Sequence, residues 1–403
     1  MRMQSISVKC QLLIVKCFHI MSVTFAAPKG AADKTNQSAS VEAALGTMDK
    51  INDFLLRFSR VPSSEKLFFV QHLGVMLKAG VSLLVALQTL SKQSESRRLA
   101  KILKDVAGNV EKGKTLTDSL RPHLAVFGEL FINMVDAGEI SGKLESVLAQ
   151  LYIQLKKQHQ LLSRVKGALT YPLVILFAMV GIGIFMMVVV VPQITAMLKD
   201  FNSELPLATK ILINVSDSLV NHGVYWSVGL ILFVLTMIKI LSTHAGKYYF
   251  QSITLRLPIF GSIIKKINLA KFARTISSLL KTDIMIIKSF QITGNVLGNL
   301  HYRAAILEMA EKIKKGGTIY DVISAYPKLF PPIVTQMVAI GEQTGELDNI
   351  LQQLAEFYED EVDQIMQNLP AIIEPLLILI LGGGVGAMAV AIIMPMYSVT
   401  TSI

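Results

Sequence analysis

The chain has 403 residues, of which 52% are hydrophobic and 17% are charged, and its formal net charge is +10. Uncharged apolar stretches at residues 173–191 and 376–394 are each long enough to cross a ~30 Å hydrocarbon layer as a helix. This composition excludes an ordinary soluble protein. It also argues against nucleic-acid binding, because the basic residues cluster beside the apolar stretches, where the positive-inside rule accounts for them.

Residues 1–61 are predicted to form an N-terminal lead and a flexible linker. Both cysteines lie within the first 20 residues, so no disulfide holds the folded parts together. The apolar run at residues 10–25 is typical of a secretory signal, but Lys16 and His19 interrupt it. We favour an amphipathic or poorly ordered lead, or an over-extended start, followed by a small, polar linker at residues 28–40.

An internal repeat organises the rest of the chain. Shifting the sequence by 203 residues aligns residues 66–192 with residues 269–395 without a gap. Apolar residues within each repeat recur at three- and four-residue steps, which predicts helices. Because each match continues into an apolar stretch, each repeat is expected to be a soluble helical domain followed by its own span.

Basic residues predict the orientation of these domains. Residues 156–166 carry four Lys or Arg, and residues 239–274 carry seven with no acid, whereas residues 192–223 carry two. The positive-inside rule therefore places both domains in the cytoplasm. A shorter apolar stretch at residues 224–241 is then needed to return the chain across the membrane.

We therefore predict an all-α, multi-pass membrane protein with two homologous cytoplasmic helical bundles and three transmembrane helices. The expected boundaries are bundle 1 at 62–168, the first transmembrane helix at 169–198, a periplasmic loop at 199–223, the second transmembrane helix at 224–241, bundle 2 at 242–369, the third transmembrane helix at 370–397 and a periplasmic tail at 398–403.

Residues 108–115 read GNVEKGKT, which matches the G-x-x-x-x-G-K-[ST] loop of nucleotide-binding proteins. That loop must follow a strand, but a helical stripe precedes it here, so Gly113 is expected to end one helix and Thr115 to begin the next. The copy keeps the capping residues but has Gly317 in place of Lys114. We interpret the match as a coincidence and expect no nucleotide site.

A doubled motif provides the first candidate site. It reads Gly138-Glu139-x-x-Gly142 in one copy and Gly341-Glu342-x-x-Gly345 in the other. One interpretation is a close helix crossing or tight turn that requires glycine. The other is that both glutamates contact a partner or a paired subunit. The two interpretations are compatible.

The mouths of the spans provide the second candidate site. Glu374 lies beside Pro375 at the start of the third span, and Pro172 aligns with Pro375 in the first. An ionisable group near membrane depth is a functional candidate, although an interfacial position accounts for it equally well. The acidic run at residues 357–363 could collect a cation or a basic partner, but we favour a solvated helix face.

Nothing in the sequence indicates catalysis. The seven histidines never pair at metal-ligand spacing, and neither a G-x-S-x-G nor an H-E-x-x-H motif occurs. We therefore expect no catalytic residue, cofactor or metal.

Several motifs together resemble the type II secretion protein F family. They are the doubled G-E-x-[ST]-G-x-L, Glu204-Leu205-Pro206-Leu207-x-Thr209, Leu257-Pro258-Ile259-Phe260-Gly261, Phe272-Ala273-Arg274-Thr275 and Glu374-Pro375-Leu376-Leu377. The resemblance covers about residues 62–397 and implies a non-enzymatic inner-membrane platform for type II secretion or type IV pilus assembly. Its implied partners are a cytoplasmic assembly ATPase, other inner-membrane assembly subunits, pilin-like subunits and further copies of the chain.

One departure from the family pattern concerns the first corner of each bundle. The first copy carries the usual glycine in Ala79-Gly80, but the second has Thr282-Asp283, which predicts an altered corner. Two other functions remain as alternatives. A small-solute or ion transporter would use Glu374 within the membrane, and an ATPase would use GNVEKGKT.

Overall fold

A computed structural model describes residues 61–199 and 207–401. The predicted lead at residues 1–60 lies outside the described residues, as do residues 200–206 and the last two residues of the predicted tail. Helices make up most of the two described ranges, and no strand occurs in them, so the all-α prediction is confirmed.

The first repeat begins with six helices. They are α1 (Ser63–Lys78), α2 (Leu83–Gln93), α3 (Arg97–Glu111), α4 (Leu116–Leu120), α5 (Leu124–Phe127) and α6 (Glu129–Ile140). The seventh helix, α7 (Leu144–Phe185), packs against α1 and then leaves the bundle as an apolar rod. A π-helical turn at Met186–Val190 joins it to α8 (Val191–Lys199).

A connecting region and the second repeat follow. The connecting helices are α9 (Leu207–Asn221), α10 (Gly223–Ser242) and α11 (His244–Arg256). The second repeat contains α12 (Pro258–Leu280), α13 (Ile286–Val296), α14 (Leu300–Lys314), α15 (Ile319–Ser324), α16 (Pro332–Thr344) and the long α17 (Leu347–Thr401).

Three helical segments are long and apolar enough to cross a membrane, as predicted. They are Leu144–Ala196, Gly223–Ser242 and Leu347–Ala391. The expected loop at residues 199–223, however, contains the helix α9. Its hydroxyls have fixed partners, because Thr209 donates to the Ala391 carbonyl at 2.6 Å and Ser216 donates to the Met187 carbonyl at 2.5 Å. The expected loop is therefore largely a helix packed against the first and third spans, while its periplasmic location stays a prediction.

Aromatic side chains fill the core of each bundle. In the first bundle, the Phe127 ring lies 4.8 Å from Phe131 and 5.8 Å from Phe69. In the second, Phe330 lies 5.2 Å from Phe272. Phe69 aligns with Phe272 and Phe127 with Phe330, so the repeat keeps the central aromatic pair. Burying such rings is among the larger contributions to a core of this size.

The two repeats pack against each other along α7, α12 and α17. Buried polar groups hold this seam, where the Gln154 amide oxygen accepts from the Ser278 hydroxyl at 2.9 Å. Beside it, within the second repeat, Arg274 of α12 forms two parallel hydrogen bonds of 2.8 Å to the carboxylate of Glu359 on α17. Such a bidentate pair fixes both the distance and the orientation of the helices that carry it.

The acidic run on α17 is therefore not a solvated face. Lys157 and Arg164 of α7 reach Glu359 and Asp363 at 3.4 and 2.9 Å, and Lys266 of α12 pairs with Glu361. The prediction was wrong because the run supplies partners for cations on two other helices. Sequence periodicity cannot show such contacts between distant segments.

The first corner of the second bundle also differs from the expectation. Asp283 adopts the left-handed conformation with φ 59°, close to the φ of 79° at Gly80 in the first copy. Aspartate tolerates this region better than most residues. The Asp283 carboxylate also lies 3.3 Å from the Lys143 ammonium. The corner therefore keeps its shape without glycine.

The seam predicts a strong coupling between Arg274 and Glu359. Both side chains are almost buried, at 8% and 12% exposure, so removing either one leaves a charge in a poorly solvated site. We expect the variants Arg274→Ala and Glu359→Ala to give a coupling energy of about 2 kcal/mol in a double-mutant cycle. The measurement is the free energy of unfolding of the purified chain, from denaturant titration followed by circular dichroism.

The exposed pair Glu308 and Lys312 on α14 is the matched control, since its charges lie 2.9 Å apart but in water. Solvent screening should hold its coupling energy below ~0.5 kcal/mol. Equal coupling in the two cycles would contradict the buried seam.

Candidate functional site

The first glycine of the doubled motif lets two helices approach closely. A Cβ atom on Gly138 of α6 would lie 3.0 Å from the Val147 Cβ and 3.2 Å from the Leu144 Cα at the start of α7. A Cβ on Gly341 of α16 would lie 3.0 Å from the Leu347 Cα of α17. Each glycine therefore sits where a short helix crosses the beginning of a long one.

The glutamate of the motif caps another helix. The Glu139 carboxylate accepts the backbone N–H groups of Leu116 and Thr117 at 2.6 and 2.9 Å, together with the Thr117 hydroxyl at 2.8 Å. These N–H groups open α4 and have no partner within the helix, so an acceptor and a negative charge are both stabilising there.

The second copy repeats this arrangement. Glu342 accepts the N–H groups of Ile319 and Tyr320, which open α15, at 2.8 and 3.0 Å. The last glycine of each motif, Gly142 or Gly345, has φ 69° or 76°, a conformation that glycine adopts at least cost. The close-crossing and tight-turn interpretation therefore accounts for both copies. The contact of Glu139 and Glu342 with a partner stays a prediction.

The residues at the mouths of the spans do not form a cluster inside the protein. Pro172 lies within α7, which continues past it, and α17 continues past Glu374 and Pro375. The Glu374 side chain is exposed on the outside of the apolar part of α17, beside the exposed Leu376. Its exposure leaves it available to an outside partner or to the membrane interface.

The GNVEKGKT segment forms a helix end rather than a phosphate loop. Its first four residues belong to α3, and Gly113 turns the chain with φ 82°. The backbone N–H groups of the turn are already hydrogen-bonded within the chain. Gly113 donates to the Val110 carbonyl at 2.9 Å, and Lys114 donates to the Asn109 carbonyl at 3.1 Å. Thr115 then caps α4 by accepting from the Asp118 N–H at 3.0 Å. The predicted caps are confirmed.

Within the two described ranges, no group of three His, Cys, Asp or Glu side chains lies close enough to hold a metal ion. Glu359, Glu361 and Asp363 of the acidic run instead pair with cations along the seam. Sequence reasoning missed that seam, although the two basic runs that precede the acidic one were visible.

Replacing Lys114 tests the GNVEKGKT segment directly. Lys114 is exposed at the turn, so we expect Lys114→Ala to change the free energy of unfolding by under ~0.5 kcal/mol. Gly113→Val should destabilise the same turn by about 1–2 kcal/mol, because a β-branched residue is strained at positive φ. Thermal unfolding and ATP binding by the purified chain are the measurements. Saturable ATP binding that disappears in Lys114→Ala would overturn the helix-end interpretation.

Removing Glu139 tests the cap. Glu139→Ala leaves the N–H groups of Leu116 and Thr117 without their acceptor, and we expect a loss of about 2 kcal/mol in the free energy of unfolding. The exposed Glu111 provides the control variant Glu111→Ala, for which the change should stay below ~0.5 kcal/mol. If Glu139→Ala with Glu342→Ala impairs function at unchanged stability, the two glutamates act on a partner rather than as caps.

Comparisons with known proteins agree with this architecture. The family described as type II secretion system (T2SS), protein F, matches residues 69–192 and 272–395, which are the two repeats. A type IV pilus assembly protein PilC from Thermus thermophilus is 35% identical over 347 residues, covering 84% of this chain and 85% of that protein. The PilC of Myxococcus xanthus is 31% identical, with 86% and 83% covered.

A type II secretion relative is similar to nearly the same extent. The type II secretion system protein F of Aeromonas hydrophila is 30% identical over 344 residues, covering 85% of this chain and 88% of that protein. The family match spans both repeats, and each of these relatives covers more than two thirds of the chain. The chain therefore belongs to the type II secretion system protein F family.

Proposed function

We propose that this protein is a non-enzymatic platform in the bacterial inner membrane, which couples a cytoplasmic assembly ATPase to the assembly of pilin-like subunits. The observation that carries the proposal is the continuity of α7 and α17, each of which begins in a bundle core and ends as a membrane span. At ~1.5 Å per residue, α7 is about 63 Å long and α17 is about 80 Å long.

Such helices can transmit movement because their backbone hydrogen bonds continue from the aqueous bundle into the membrane. The seam joins them where they leave the bundles, through the ion pairs of Lys157 with Glu359 and of Arg164 with Asp363. An apolar cluster of Leu161, Ile263 and Met366 lies beside these pairs. A partner that tilts or rotates the bundles would therefore move the spans as well. Energy would come from that partner, because the GNVEKGKT turn is built as a helix end.

The orientation and the partners are part of the same proposal. The basic residues flanking the spans favour both bundles in the cytoplasm, where an ATPase is accessible. The relatives are named for type IV pilus assembly and for type II secretion, which favours pilin-like subunits and other inner-membrane assembly proteins as partners. Further copies of the chain complete the proposed assembly.

The turn at Gly142 is a proposed partner contact. Ile140 lies beside it and is 82% exposed, which is unusual for a large apolar side chain. Ile140 can therefore contact a partner while Glu139 caps α4. The transporter alternative receives less support, because Glu374 is exposed on α17 rather than buried between spans.

Breaking the continuity of α7 tests the platform. We expect a Gly-Ser-Gly-Ser insertion between Gly167 and Ala168, where the bundle ends, to abolish pilus or secretion output in the source bacterium. Flexible residues uncouple the bundle from the span without removing either one. Copurification of the cytoplasmic ATPase and the amount of membrane-inserted protein should stay unchanged.

The same insertion after Gly317, in the exposed turn between α14 and α15, is the matched control and should leave output near the wild-type level. Normal output from the α7 insertion would contradict mechanical coupling. Failure of the unmodified chain to copurify with any ATPase would contradict the platform itself.

A further inference from the structure

The helix α11 has a face suited to a membrane surface. It follows α10 after the single residue Thr243, whose hydroxyl accepts the Gly246 N–H at 3.2 Å. Large apolar side chains are exposed at helical spacing on α11, with Tyr249 at 70% and Ile253 at 60%. Aromatic residues beside the end of a span are typical of the bilayer interface.

The opposite face of α11 is fixed to the second bundle. The Gln251 side chain donates to the Gly298 carbonyl at 3.2 Å and accepts the Leu300 N–H at 2.8 Å, which ties α11 to the start of α14. The Tyr248 ring also lies 4.3 Å from the His301 ring. The helix is therefore held in place with its apolar residues directed away from the bundle.

A cavity of about 470 Å³ lies between α11, α12 and the loop before α14. Lys247 and Lys271 line it together with the amides of Gln251, Asn268 and Asn299, and no carboxylate lines it. Leu241, at the end of the second span, forms part of the same wall. The cavity therefore joins two cations to the membrane-proximal end of α10.

Lys271 has no partner of its own within the described residues. Burial lowers the pKa of its ammonium group, and no ion pair or hydrogen bond to it occurs there. By contrast Arg274, one helical turn further along α12, is paired with Glu359. Lys271 is only partly buried, so its ammonium group can reach the cavity, and a partly desolvated cation gains from pairing with an anion.

We propose that this cavity binds the phosphate headgroup of an anionic phospholipid from the adjacent leaflet. The two ammonium groups match the charge of a phosphodiester. The Asn299 side chain uses only its oxygen, as the cap of α14, which leaves its NH2 group to donate to a phosphate oxygen. The apolar wall at Leu241 and the exposed aromatic face of α11 favour a lipid over a free anion, because they would lie beside the glycerol and acyl chains. This site lies outside the proposed coupling through α7 and α17.

The test uses the full chain reconstituted in nanodiscs of equimolar phosphatidylglycerol and phosphatidylcholine. Native mass spectrometry of the released protein should show preferential retention of phosphatidylglycerol. Each of Lys247→Gln and Lys271→Gln should weaken that retention about fivefold, because a cation near the surface contributes about that factor. Lys271→Arg should restore most of it, since the charge returns.

The control variant is Lys314→Gln with Lys315→Gln, which removes two exposed cations at the far end of α14. Its retention of phosphatidylglycerol should match the wild type, and circular dichroism should show that every variant is folded. Inorganic phosphate added to the wild type in neutral detergent separates a lipid from a free anion. Equal retention of the two lipids, unchanged retention in both single variants, or thermal stabilisation by phosphate equal to that by phosphatidylglycerol would each overturn the proposal.

Discussion

The architecture depends on helices that satisfy their own backbone hydrogen bonds. Because internal N–H and C=O groups pair within the helix, except opposite prolines such as Pro172 and Pro375, α7 and α17 can leave an aqueous bundle and enter hydrocarbon as continuous helices. Only the side chains change along their length. The bundles are consequently assembled on the first turns of these helices, where the close approach at Gly138 and Gly341 fixes the short helices in place.

The repeat keeps its local geometry and differs at the seam. The caps and left-handed turns occur in both copies, because each serves one helix end within its own bundle. By contrast, Arg274 aligns with Gln71 and Glu359 with Lys156, so the bidentate pair exists in the second copy alone. Lys157 of the first copy then approaches Glu359 of the second. The residues that join the two copies therefore differ from their counterparts in the other copy. This makes the contact between the copies asymmetric.

Local features could be predicted from the sequence, and long-range ones could not. The three spans, the two bundles and the caps at Thr115 and Thr318 follow from composition, periodicity and the repeat. The seam needed pairings between distant residues, such as Gln154 with Ser278, which lies 124 positions away, and no local pattern encodes them. The helix α9 was missed because basic residues alone were used to place its segment. The cavity lined by Lys247 and Lys271 was missed because its lining residues come from four separate elements.

The π-helical turn at Met186–Val190 affects the far side of the membrane. An added residue in one turn rotates the helix beyond it by about 100°, since an α-helix advances by 3.6 residues per turn. The aligned part of α17, at residues 389–393, is ordinary α-helix. The first and third spans align without a gap, but after the π-helical turn their aligned residues point in different directions around the helix axis. The helix α9 packs against both spans in this region. The end of the first span is therefore not a structural copy of the end of the third, although the two sequences align.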